Sequence, residues 1–173
     1  MKNRYFIIGL IFWAFCISCE DESPEYSFCE SYEQGQIVLG TKDGISLEKY
    51  FDIMNSYELT ISKIGGNEYE SSLPIEDVVD FLNTKDYINH NGFNAYKTYI
   101  STVAFLFWNM AVENQKDWAE TKSTLKLTEK SSISRYLVIT VPIGQEKKWA
   151  THFKNKNSFN FAELNCIYQI EPH

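Results

Sequence analysis

Gly35-Gln36-Ile37-Val38-Leu39-Gly40-Thr41-Lys42-Asp43-Gly44-Ile45-Ser46-Leu47 passes from strand to helix within one short stretch. Ile37-Val38-Leu39 is a short β-branched and aliphatic run, and Thr41 to Gly44 is a turn signal. Ser46 then caps a helix whose apolar residues Leu47, Tyr50, Phe51, Met54 and Tyr57 recur every three or four positions on one face. Outward from this unit the chain keeps alternating. Leu59, Ile61 and Ile64 read as a strand, Gly65-Gly66-Asn67 as a hairpin turn, and Glu68 to Leu73 as the return strand. Pro74 suits a helix start, with Ile75, Val78, Val79 and Leu82 on the buried face. Tyr87-Ile88-Asn89 closes the series as a strand, before a polar loop from Asn89 to Asn94.

The same order then repeats. Tyr99 to Trp108 is an apolar run without Gly or Pro and predicts a central strand. Asn114 is placed to cap a helix carrying Trp118, Thr121 and Leu125, with Asp117 at the capping-box position. Ser131 to Ser134 predicts a short strand or a turn. Tyr136 to Ile143 is a β-branched strand ended by Pro142-Ile143-Gly144. A helix from about Glu146 presents Trp149, Ala150 and Phe153, and Phe159 to Ile170 is the last strand, broken near Glu163. The fold class expected is therefore α+β. Its architecture would be two tandem ferredoxin-like (β-α-β-β-α-β) units over residues 35–94 and 95–173. The competing arrangement is a single larger sheet in which Tyr99–Trp108 and Tyr136–Ile143 pair centrally.

What precedes residue 35 has another character. Lys2 and Arg4 form a basic head, and Tyr5 to Phe15 is an apolar run too short for the about 20 residues of a membrane-spanning helix. Ile17-Ser18-Cys19 resembles the lipobox of bacterial lipoproteins, with Cys16 where an aliphatic residue is usual. That resemblance implies a signal peptide over 1–18 and acylation of Cys19, which would attach the chain to membrane lipid. Acyl chains contribute about 0.8 kcal/mol per buried CH₂, so several chains anchor without any crossing segment. Residues 19–34 then form an acidic tether. Within it, Glu20-Asp21-Glu22-Ser23-Pro24-Glu25 resembles the surface-export signal of Bacteroidetes lipoproteins. Read on its residues alone, it is a solvated spacer. An outer-membrane location follows from the resemblance, with either face open.

Removing residues 1–18 lowers the 16 basic residues to 14 against 23 acidic ones, a net charge of −9. Such a balance excludes nucleic acid as a partner, because phosphate binding needs a basic face. Aromatic residues make up 16% of the chain, ample for a core. Cys29 and Cys166 remain in an oxidising compartment, either bridged across a long loop or as two buried thiols.

Two segments carry a family resemblance. Gly35 to Leu39 with Lys42 to Leu47 resembles the first strand, turn and helix of subtilase propeptides and related stand-alone inhibitor domains. Phe161-Ala162-Glu163-Leu164-Asn165-Cys166-Ile167-Tyr168 resembles their final strand, with Leu164 where proline is frequent. The resemblance implies a ferredoxin-like fold. It also implies that the tail Gln169, Ile170 and Glu171, running to His173, is the segment offered to a protease cleft, in a stand-alone inhibitor or folding assistant.

Catalytic chemistry finds no footing. His90, His152 and His173 are the histidines, and none has a second ligand at zinc spacing, so no metal site is expected. No Gly-x-Ser-x-Gly elbow and no phosphate loop occurs, and no cofactor is expected. Glu76, Asp77 and Asp80 sit where a helix dipole favours carboxylates. Trp108, Trp118 and Trp149 are either a sugar- or peptide-binding platform or core packing. Lys147, Lys148, Lys154 and Lys156 read as a solvated basic helix face. The expected function is a non-enzymatic, membrane-anchored interaction module whose partner is an envelope or extracellular protein. A propeptide-like inhibitor and an enzyme with an unrecognised site are the alternatives.

Overall fold

Strand β1 (Tyr32–Thr41) lies between strands from the far end of the chain, and this placement organises the molecule. A computed structural model describes residues 29–97, 101–130 and 134–167. After β1 come α1 (Leu47–Ser56), β2 (Thr60–Ser71), α2 (Ile75–Leu82), β3 (Ile88–Lys97), β4 (Ser101–Met110) and α3 (Val112–Thr124). Then follow β5 (Thr128–Glu129), β6 (Tyr136–Thr140), α4 (Glu146–Lys154) and β7 (Phe159–Cys166). The fold is α+β, with one antiparallel seven-stranded sheet of order β3-β4-β2-β6-β1-β7 and β5 pairing with β2.

Period-2 alternation fixes which residues face the helices. Ile37 pairs with Ile139 and Leu164, and Leu39 with Leu137 and Ala162, so all six point the same way. Ile37, Leu39, Leu137, Ile139 and Ala162 join a single buried cluster with Leu47, Tyr50, Phe51 and Met54 of α1, Val78 and Leu82 of α2, Trp118 of α3, and Ala150 and Phe153 of α4. The core therefore lies between one sheet face and the helices. Ser46 caps α1 as its sequence predicts, its hydroxyl accepting from Lys49 N–H at 3.4 Å.

The two expected units do not form with a sheet each. Their boundary at 94/95 falls inside β3, and β1 pairs with β6 and β7. Strands β2, β6, β1 and β7 with α1 and α4 realise the β-α-β-β-α-β order once, and residues 72–135 intervene between its second and third strands. The competing single sheet is the nearer description, although β4 and β6 flank β2 and do not pair with each other.

The reason is local. Gly65-Gly66-Asn67 does not reverse the chain. Gly66 takes φ +75° and the β2–β4 register shifts between Ile64 and Asn67, which makes a bulge. The Asn67 amide donates to the carbonyls of Ile64 (3.0 Å) and Phe105 (3.2 Å), holding the kinked backbone. A bulge and a hairpin share the same glycine signal.

Smaller corrections follow. Residues 90–94, expected as a loop, belong to β3, whose pairing with β4 shifts between Asn89 and Asn94. Helix α3 starts before Asn114, whose amide instead donates to the Asn109 carbonyl at 2.6 Å. A short strand forms at Thr128–Glu129, and residues 131–133 of the expected Ser131–Ser134 element lie outside the described residues. β7 runs unbroken through Glu163, which pairs with Val38. Cys29 and Cys166 are bridged, with Cα atoms 5.6 Å apart, tying the entry of β1 to the end of β7.

Candidate functional site

The sheet face opposite the helices carries the surface feature that packing does not require. Gly40 pairs with Tyr136 on one side and Phe161 on the other, and Tyr136 pairs in turn with Gly65. These positions alternate with the core residues, so they point away from the helices. A Cβ on Gly40 would meet the Phe161 ring at 2.2 Å, and one on Gly65 would meet the Tyr136 ring at 2.1 Å. Both rings lie where a side chain would otherwise stand, the arrangement by which aromatics cover glycines in sheets. Next along, Lys63 pairs with Trp108, and the Lys63 ammonium lies 5.3 Å from the Trp108 ring and 5.7 Å from the Tyr136 ring.

Adjacent strands are about 4.8 Å apart, so rings on β7, β6 and β4 lie at steps of about 10 Å. Phe161 remains 41% exposed and Trp108 44% exposed. Val138, beside this row, is buried by its neighbours. The rim is polar: the Asn165 amide donates to Gln36 Oε1 at 2.8 Å across β1 and β7. A flat aromatic strip with a hydrogen-bonding edge accommodates the face of an extended or helical partner segment.

The structure separates the three tryptophans of the sequence reading. Trp118 is fully buried, against Tyr69 (5.1 Å) and Phe107 (4.8 Å). Trp149 packs on Phe153 and Tyr57. Trp108 alone of these three joins the open strip. Tyr136 and Phe161 were missed as surface aromatics. Their signal was two glycines, Gly40 and Gly65, inside strands.

Other candidate residues resolve into structural roles. The His152 ring is 5.1 Å from Tyr57 and 5.2 Å from Phe153, and burial, then Lys156, holds it below the usual histidine range. Glu76 and Asp77 occupy the first turn of α2. Lys147, Lys148, Lys154 and Lys156 are exposed on and just after α4. Asp117 accepts from the Lys85 ammonium (2.9 Å) and the Tyr87 hydroxyl (2.6 Å), which hold its carboxyl below the ordinary range. Among the described residues no cluster of His, Cys, Asp or Glu could hold a metal, and no helix is long and apolar enough to cross a membrane. Cys19, the side chain of His90, and the tail Gln169, Ile170, Glu171 and His173 lie outside the described residues. No family model, no curated protein and no solved structure matches the chain.

Proposed function

We propose that the protein is an acylated envelope lipoprotein whose folded domain binds a protein partner, without catalysis, through the open sheet face. The observation that carries this reading is the strip Phe161–Tyr136–Trp108, which no helix among the described residues covers while four helices cover the opposite face. Aromatic side chains of this kind supply large contact area at low entropic cost and anchor interfaces. The net charge of −9 after signal removal favours a partner with a basic rim. The fold is read as a single ferredoxin-like unit enlarged by an insertion at 72–135. What supports it is the order β2-β6-β1-β7.

The test is capture of partners from the native envelope by the acylated protein, with a photo-reactive group at position 161. A protein cross-linked by the wild-type chain and lost in a folded Trp108→Ser/Tyr136→Ser variant is the expected result. Identical capture by both chains refutes the site. Replacing Cys19 with Ala should abolish lipid labelling, and shaving intact cells with protease reports which membrane face the domain occupies.

One observation favours the inhibitor reading as a second. Of the two segments that resemble subtilase propeptides, Gly35 to Leu39 lies in β1 and Phe161 to Cys166 in β7, which pair side by side, with Val38 opposite Glu163. Slow, stoichiometric inhibition of subtilisin, lost on removal of residues 169–173, is its expected signature.

A further inference from the structure

Antiparallel pairing brings the start of β1, the end of β6 and the end of β7 to one end of the sheet. There the Val141 N–H donates to the Gly35 carbonyl at 2.8 Å, and the Ile167 N–H to the Ser31 carbonyl at 2.8 Å. Two large apolar side chains stand in solvent at this end. Ile143, beside exposed Pro142, is 73% exposed, the most of any large apolar residue among those described, and Ile167 is 44% exposed. Ile143 lies against Gly35, where an added Cβ would meet it at 3.3 Å, and Ile167 lies beside Ser31. The two isoleucines therefore flank the entry of β1. Neither fills the core, and neither belongs to the aromatic strip, which lies on the sheet face and not at its end.

Helix α4 starts at the same end, because its first residue, Glu146, accepts from the Gly35 N–H at 2.7 Å. That bond buries the carboxylate, while the next two residues, Lys147 and Lys148, are exposed. Glu30 and Glu33, at the entry of β1, are exposed too, so these four charges cancel. The chain from residue 19 onward carries −9, all of it on other groups. Toward β2 and β4, exposed Glu58 and Glu113 bound the neutral area. The attachment point coincides with this patch. The Cys29–Cys166 bridge closes the same end. Ten residue steps separate Cys29 from Cys19, a reach of at most about 35 Å. An acyl group on Cys19 therefore keeps this end next to lipid, rather than the opposite end at Lys42 to Ser46.

We infer that this end of the sheet docks on the bilayer surface, with Ile143 and Ile167 entering the boundary between headgroups and acyl chains and Lys147 and Lys148 at the level of the phosphates. The inference rests on the acylation of Cys19 proposed above, which supplies the proximity. Apolar residues flanked by cations reach about 5–10 Å into that boundary. Two isoleucines alone bind weakly, but a short tether raises their effective concentration to about the millimolar range, where weak contact suffices. Contact through the end of the sheet leaves its faces standing out from the membrane. Trp108, Tyr136 and Phe161 then stay accessible to a partner.

The test uses the chain from residue 19 onward with Cys19→Ala, so that no acyl group carries the binding; every described residue is in it. An environment-sensitive fluorophore is attached at Gln145→Cys, an exposed position beside Ile143, or at Asp43→Cys, an exposed position at the opposite end. Each protein is titrated with vesicles of phosphatidylethanolamine and phosphatidylglycerol, with and without nitroxide-labelled lipid, up to about the millimolar range that a tether supplies. A saturable blue shift and nitroxide quenching at position 145, and neither at position 43, are expected. Ile143→Ser/Ile167→Ser should weaken vesicle binding about tenfold or more, through loss of two buried apolar side chains. Lys147→Gln/Lys148→Gln should weaken it several-fold. All four side chains are exposed, and an unchanged circular dichroism spectrum checks that the variants fold. No response at position 145, an equal response at position 43, or binding unaffected by the isoleucine changes would overturn the inference. So would a response at 145 that grows with protein concentration in the absence of vesicles, which would make this end a contact between two copies. Docking by this chain without lipid labelling of wild-type Cys19 would refute the anchor alone; labelling without docking would refute the docking alone.

Discussion

The two faces of the sheet carry aromatic groups of similar size with opposite fates. Beneath the helices, Tyr69, Phe105, Phe107 and Trp118 pack with ring centroids 4.8–5.7 Å apart, mostly edge to face. On the open face, Phe161 and Tyr136 lie on glycine backbone and Trp108 lies beside Lys63. The first group is held by other side chains and removes the most area from water. The second is held by the sheet itself and keeps its outer surface exposed. Composition alone does not distinguish them. What does is whether a helix returns over that face.

The comparison can be broken at its strongest point first. Trp118→Ala removes a fully buried indole and leaves a cavity, at a cost of about 3–5 kcal/mol, measurable as a shift in the denaturant midpoint. A loss under about 1 kcal/mol would mean that this cluster does not hold the fold. Next is Gly65→Ala. Its new methyl would stand 2.1 Å from the Tyr136 ring, so the ring must leave the backbone. The expected cost is about 1–3 kcal/mol, with a changed Tyr136 environment in aromatic NMR signals. An unchanged ring signal would show that the glycine is not what seats it.

A smaller effect is set by pH. Glu146, at the start of α4, accepts from the Gly35 N–H at 2.7 Å, and that bond holds its carboxyl below the ordinary value of 4.5. A carboxyl depressed in the folded state stabilises above its unfolded value, and the gain is lost as pH falls through the lower folded value. Stability should therefore decline on acidification from about 4.5 downward in the wild type. This decline should be shallower in Glu146→Gln. Identical acid limbs would remove Glu146 from the account. The smallest change is expected at Trp108→Ala: within about 0.5 kcal/mol in stability, as for exposed residues generally, but with loss of partner capture. A large destabilisation there would make the open face part of the core instead of a binding surface.

Much of the chain was legible before its fold. The α1 cap at Ser46 and the buried spacing of Leu47, Tyr50, Phe51 and Met54 follow from periodicity and capping, which act within a few residues. Helix α2 after Pro74 and the strand around Tyr136 follow for the same reason. Gly65-Gly66-Asn67 was read as a turn because a positive φ serves a hairpin and a bulge equally; only the partner strand β4 decides between them. Ile37 to Gly40 pairs with both β6 and β7, from Gly40 opposite Tyr136 to Ile37 opposite Leu164, through separations that no local pattern encodes. Arg135 drew no attention as a single arginine before a strand. Its burial beside residues 42–46 exists only once β6 pairs with β1.

The chain alone therefore determines its α+β class, most element positions, the balance of charge and the lipobox-like segment ending at Cys19. These depend on residue type and on spacing along a few turns or strand residues. The tertiary structure decides that β1 sits between β6 and β7, that among the described residues no helix covers one face of the single sheet, and that Phe161, Tyr136 and Trp108 lie across it. Strand order depends on long-range pairing, where loop closure is paid for by burial of the whole core. A residue's face, and with it the choice between packing and binding, is fixed only when that pairing is complete.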